Sequence, residues 1–266
     1  IYNNKMIQLS TIKKLNKYAA ISHFLQGLFI VLFFYVIKKG DASFDTDLYS
    51  YKALEYSRGQ SVYETEKVLS ISTDNLKIII VLIFAITFFF HLFYYKSYTY
   101  EYYLWKGYNP YRWIEYGITS TMMTFVLAII SGTKDFDTMV LLVVLNVVMI
   151  SMGYYGEVYE SARTLSNLLG WTCLTAIFFV ILRNFFERID DGQKAGKDIP
   201  SWVKFVLFPM AVFYASFGVV AFLLRGKENT MKREFWYIIL SFTSKSFMGN
   251  WLAYGLTRDE RPYDKI

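Results

Sequence analysis

Apolar residues in this chain gather in long blocks rather than at amphipathic spacing. Seven blocks can be read, at about 18–37, 78–95, 111–131, 138–155, 165–182, 202–224 and 235–256. Each is about 18–22 residues long, the length a helix needs to cross the hydrocarbon of a bilayer. The pattern predicts an all-α membrane protein: a seven-transmembrane helix bundle forming a single domain over residues 1–266. The first block, YAAISHFLQGLFIVLFFYVI, is too long for a secretory leader core and reads as a retained helix. Residues 38–77 form a long loop of mixed charge, in which SVYETEKVLSIS alternates enough to predict a short β-hairpin. FERIDDGQKAGKDIPSW, after the fifth block, reads as a polar, solvated connection. Asn109-Pro110 reads as an N-cap followed by proline at the first helical position, and Pro209 predicts a kink in the sixth block.

Composition narrows the function classes. Hydrophobic residues make up 55% of the chain and aromatics 20%, both high for a soluble domain. The modest loops leave no room for a soluble catalytic domain, so the chain reads as a non-enzyme. One cysteine, Cys173, excludes an internal disulfide or a cysteine metal site and reads as a small buried hydrophobe. IDDG lacks the spacing of a full calcium loop, and GQKAGKD lacks the phosphate-loop form. The net charge of +6 is read as loop charge that sets topology, not as a nucleic-acid footprint.

Sorting the charges by side supports that reading. The side holding the N-terminus and loops 2–3, 4–5 and 6–7 carries Lys5, Lys13, Lys14, Lys17, Lys96, Lys106, Arg112, Arg163, Arg225, Lys227, Lys232 and Arg233 against Glu101, Glu157, Glu160, Glu228 and Glu234. The other side is close to neutral. The basic side is expected to be cytoplasmic, which places the N-terminus inside and the C-terminus outside. Two charged residues then remain well inside the membrane, Lys245 and Glu115. An isolated charge there costs several kcal/mol, roughly, and intramembrane ionisable groups are functional by default. The alternative is a structural ion pair pinning the third helix to the seventh.

Lysine, unlike arginine, can lose its proton and act as a nucleophile, and a desolvated lysine forms Schiff bases with aldehydes. In a seven-helix membrane bundle the obvious aldehyde is retinal, and Glu115 is the candidate counterion of the protonated imine. Trp113, Tyr116, Phe208, Phe213, Tyr214, Phe217 and Trp251 are aromatics suited to a polyene slot, although ordinary packing accounts for most such residues. Helical rise puts Glu115 about 8 Å into its helix and Lys245 about 15 Å into its own. A long lysine side chain spans part of that difference.

The segment NPYRWIEYGITST, residues 109–121, resembles the third-helix signature of heliorhodopsins, and SFTSKSF resembles their retinal-lysine segment. His23, Gln26 and His91 also match polar positions of that family, and the resemblance covers all seven helices and the long first loop. It implies all-trans-retinal bound covalently to Lys245, with Glu115 as counterion. Ser241 would hydrogen-bond the Schiff base or the counterion, and Thr119 stands where the family usually has serine. His23, Gln26 and His91 would form a polar, water-holding network. Met149, Trp171, Trp113, Tyr116, Phe213 and Tyr214 would line the chromophore.

The resemblance further implies a multi-pass protein of the plasma membrane with inverted orientation, a homodimer aided by an extracellular sheet in the first loop, and an unidentified cytoplasmic signalling partner. Ile, Lys, Asn, Phe and Tyr richness fits an AT-rich genome, a virus among other sources. Three functions stay open: a light sensor signalling through a photocycle, a light-gated proton channel or pump, and a transporter with a structural Lys–Glu pair and no retinal. The third block has no second acid before Asp135, which argues against an outward pump.

Overall fold

The structure, a computed structural model, describes residues 7–37, 45–57, 60–194 and 201–257. Among these are eight α-helices and one two-stranded sheet. The long helices are α1 (Leu9–Leu32, continued by a π turn at Phe33–Ile37), α2 (Thr73–Lys96), α4 (Pro110–Ser131), α5 (Phe136–Val158), α6 (Arg163–Lys194), α7 (Ser201–Leu223) and α8 (Thr230–Gly255). They contain the seven apolar blocks in order. Six are long and apolar enough to cross a membrane by length and composition. The remaining one, α8, carries Lys232, Arg233, Glu234 and Lys245, which dilute its apolar character.

The helices form a ring in which α1 touches α2 and α8, α7 lies between α6 and α8, and α4 packs against α2, α5, α6 and α7. The lipid-side surface is apolar: Phe24, Phe89, Leu141, Phe179 and Val212 are all exposed. The polar residues turn inward, where Asn16, His23, His91, Arg112, Glu115 and Asn146 have no accessible surface. This arrangement follows from a solvent that cannot hydrogen-bond side chains. Small residues let helices approach closely. A Cβ added at Gly249 would sit 2.5 Å from the Phe84 ring of α2 and 3.2 Å from Ile30 of α1.

Three features differ from the sequence expectation. The hairpin is longer than its alternating segment, pairing Thr46–Ser57 (β1) antiparallel with Gln60–Ile71 (β2). Its base is tied to the α4–α5 turn, where the Tyr49 N–H donates to the Lys134 carbonyl at 2.8 Å. The supposed loop after the fifth block is helical through Lys194, extended by the i,i+4 pairs Arg183–Glu187 and Lys194–Asp190; residues 195–200 lie outside the described residues. The 2–3 loop contains a nine-residue helix, α3 (Tyr98–Lys106), capped by Ser97 and closed by Gly107 at φ 103°, a conformation glycine adopts freely.

Gly249→Ala should lower stability by about 1–3 kcal/mol, because the added methyl group overlaps Phe84. Reversible unfolding in mixed detergent checks this, and a wild-type midpoint would contradict the close packing of α8 on α2.

Candidate functional site

The site begins with the cap of α4. The Asn109 side chain accepts the Arg112 N–H at 3.3 Å, and Pro110 occupies the first turn. This start directs Arg112, Glu115, Tyr116 and Thr119 inward, spaced three or four residues apart on one helix face. On α8 the spacing Glu234, Tyr237, Ser241, Lys245 makes the matching stripe, with all four buried.

The two stripes meet through charge. Lys245 Nζ lies 2.8 Å from Glu115 Oε1 and 2.8 Å from Ser241 Oγ. The lysine reaches back one turn along its own helix to Ser241, and this closes the depth difference expected from helical rise. Glu115 Oε2 accepts from Arg112 Nη1 at 2.8 Å and from the Tyr94 hydroxyl at 3.1 Å. Arg112 then bridges to Glu234 Oε1, 3.2 Å from Nε and 2.5 Å from Nη2. Asn109 and the Tyr100 hydroxyl also donate to that oxygen, at 3.2 and 3.0 Å. Two cations and two carboxylates therefore alternate in one buried chain.

The sequence reading placed Arg112, Glu157, Arg233 and Glu234 with the loops; the structure places them inside. Arg112 is 0% exposed and Glu234 3%. Arg233 pairs with Glu157 at 2.7 Å, and Glu157 also accepts from the Trp113 indole. These residues sit in the terminal turns of helices, where a span-counting argument assigns charge to water. Partner charges on neighbouring helices draw them in. The signal that could have found them is helical spacing: Arg112 precedes Glu115 by one turn, and Glu234 shares the face of Lys245.

On one side of this chain lie the polar residues of α1 and α2. His91 Nδ1 is 2.7 Å from Asn16 Oδ1, Asn16 donates to the Tyr100 hydroxyl at 3.0 Å, and the His23 and His91 rings stack at 5.5 Å. Both ring nitrogens of His23 and Nε2 of His91 are buried without a hydrogen-bond partner among the described residues. Gln26 does not join the histidines; its amide bonds Ser246 of α8 at 2.7 Å.

On the other side Lys245 opens onto a cavity of about 840 Å³, counting its mouth. Trp113, Tyr116, Thr119, Met149, Trp171, Tyr214, Phe217 and Ser241 line it. Thr119 donates to the Glu115 carbonyl at 2.9 Å, so its hydroxyl is engaged by the backbone. Two glycines shape the walls. A Cβ on Gly218 would lie 2.9 Å from Trp171, so only glycine lets that indole in, whereas one on Gly170 would meet nothing within 4 Å. Phe213 lies outside this lining and packs on Phe247, Trp251 stacks on Phe205, and Phe208 packs between Phe185 and Phe186. A lysine lining a cavity with several aromatic walls, its amine paired with a carboxylate, fits an apolar aldehyde.

A helical bundle of this kind is the fold of known rhodopsin structures. The fold is similar to that of the Exiguobacterium sibiricum rhodopsin (TM-score 0.62, 14% identity, covering 94% of this chain and 97% of that one). It is also similar to the viral rhodopsin OLPVRII (0.62, 14%, 92% and 96%) and to a thermophilic rhodopsin (0.60, 15%, 94% and 93%). No curated protein sequence matches the chain. The heliorhodopsin family model matches residues 12–257, and the chain belongs to that family. Family and fold together support a retinal-binding, light-driven rhodopsin in a membrane.

Arg112→Met should cost about 3–5 kcal/mol, since it leaves two buried carboxylates without their shared cation. Adding Glu234→Gln should recover part of that loss in a double-mutant cycle. Strict additivity of the two changes would contradict a direct Arg112–Glu234 coupling.

Proposed function

We propose that this protein is a heliorhodopsin-type photoreceptor in which Lys245 carries all-trans-retinal as a protonated Schiff base and Glu115 is the counterion. One observation carries the reading: Lys245, whose nitrogen lies 2.8 Å from Glu115, also lines the cavity. Retinal, when bound, supplies visible absorption and a light-driven isomerisation.

The protein's own groups do the rest. Glu115 Oε1 stabilises positive charge on the lysine nitrogen and is the nearest acidic group to it. Ser241 holds that nitrogen from the opposite direction along α8. Arg112 and the Tyr94 hydroxyl fix the second carboxylate oxygen, so Glu115 cannot rotate without breaking two contacts. Trp113, Tyr116, Met149, Trp171 and Tyr214 line the cavity side. His23 and His91 provide polar sites on the other side, and Gln26 braces α1 against α8.

The basic N-terminal side is taken as cytoplasmic and the hairpin side as extracellular, in the plasma membrane, with a homodimer and a cytoplasmic signalling partner completing the system. A second reading, a light-gated proton path, draws on the run of polar groups from Glu115 through Arg112 and Glu234 to Tyr100.

Expression with all-trans-retinal should yield a visible absorption band that Lys245→Ala lacks. A band surviving in Lys245→Ala, or missing from well-folded wild type, would sink the assignment. Glu115→Gln should shift the band to the red, because a negative charge beside the nitrogen stabilises the ground state more than the excited state; an unchanged spectrum would remove Glu115 from the counterion role. Photocurrent recording divides the two readings: none is expected for a sensor, and a light-dependent proton current would favour the channel.

A further inference from the structure

Helix α3 presents two opposite faces. Tyr100 and Leu104 point into the bundle and are 0% and 1% exposed. Tyr98, Tyr102 and Trp105, spaced i, i+4, i+7, point away at 83%, 52% and 64% exposure. Three large aromatics on one outward face of a nine-residue helix are a poor fit to water. The position of the helix explains them. It joins α2 to α4, both of which cross the membrane by length and composition, so it lies where those spans leave the bilayer. Tyrosine and tryptophan favour that boundary, where one end of the ring is apolar and the other wet.

The charge around this face is mainly basic. Lys106 Nζ lies 4.6 Å from the Tyr102 ring centre, Lys17 Nζ 5.7 Å from that of Tyr95, and Lys13 Nζ 5.9 Å from that of Tyr98. Lys96 ends α2 two residues before α3 begins. Glu101 is the acid of α3, and it is paired with Lys13. Lys17, Lys96 and Lys106 are exposed. A cluster of lysines next to interfacial aromatics matches anionic headgroups, which basic juxtamembrane residues attract.

We propose that α3 is an anionic-lipid contact site. Tyr98, Tyr102 and Trp105 enter the headgroup boundary, and Lys17, Lys96 and Lys106 take the lipid phosphates. The contact has a route inward: Tyr100, on the other face of the same short helix, donates to Glu234 of the buried charge chain. The proposal uses no chromophore and stands apart from the retinal reading.

The test uses the full chain in bilayer discs made with brominated phosphatidylglycerol or brominated phosphatidylcholine. Trp105 is one of 6 tryptophans, so its emission is taken as the difference between wild type and Trp105→Phe. Both lipids should quench Trp105, with the anionic one favoured by at least about fivefold in competition, the factor expected for one basic residue near an anionic surface. The combined exposed-lysine variant Lys17→Gln, Lys96→Gln, Lys106→Gln should bring that ratio close to one while leaving quenching by both lipids. Absence of quenching by either lipid would turn the aromatic face to water and overturn the proposal. Equal quenching by the two lipids in competition in wild type, or a preference unchanged in the triple variant, would overturn its anionic part.

Discussion

The contact between Lys245 and Glu115 governs much of the interior. Charges in hydrocarbon survive only in pairs with their remaining hydrogen bonds satisfied. Here the pair is extended to four groups by Arg112 and Glu234, so the sum is neutral and each carboxylate has several donors. Meeting this requirement draws groups from several elements. The Asn109 cap sets the face of α4, Tyr94 comes from α2, and Tyr100 comes from α3. The Arg112 guanidinium also lies 4.3 Å from the Tyr94 ring centre, which places an aromatic face against the cation. Shifting any of these helices by a turn would strand a charge.

The charge chain also divides the bundle into two unlike halves. Toward α5, α6 and α7 the walls are Trp113, Met149, Trp171 and Phe217, groups that bind by shape and dispersion. Toward α1 and α2 stand Asn16, His23 and His91, and among the described residues both nitrogens of His23 and Nε2 of His91 have no hydrogen-bond partner. Lys245 sits on the seam. A change on the apolar side reaches the polar side through one carboxylate, which suits a protein that converts an event in its cavity into a rearrangement elsewhere.

Much of this was legible in the amino-acid sequence. Block lengths predict the spans because lipid tolerates only satisfied backbone, and Asn109-Pro110 predicts the α4 cap. Lys245 and Glu115 stand out because their blocks are otherwise so apolar. Arg112 and Glu234 escaped because counting spans assigns charges near helix ends to water, and only their helical spacing to Glu115 and Lys245 marks them as facing inward. Helix α3 escaped because aromatics and charges alternate in YTYEYYLWK without an apolar run. The helical continuation to Lys194 escaped because polar composition suggests a loop, whereas ion pairs one turn apart support a solvated helix. Phe213 illustrates the limit of aromatic content as a guide, since it packs against Phe247 rather than toward the lysine.

The central claim is that the Lys245 nitrogen forms the bond to the chromophore. Borohydride reduction of the retinal-loaded full chain, followed by digestion and peptide mass mapping, tests it at the level of the atom. A retinyl group is expected on the peptide containing Lys245 and on no other. A retinyl group on a different lysine, or none in a protein that carries a visible band, would contradict it.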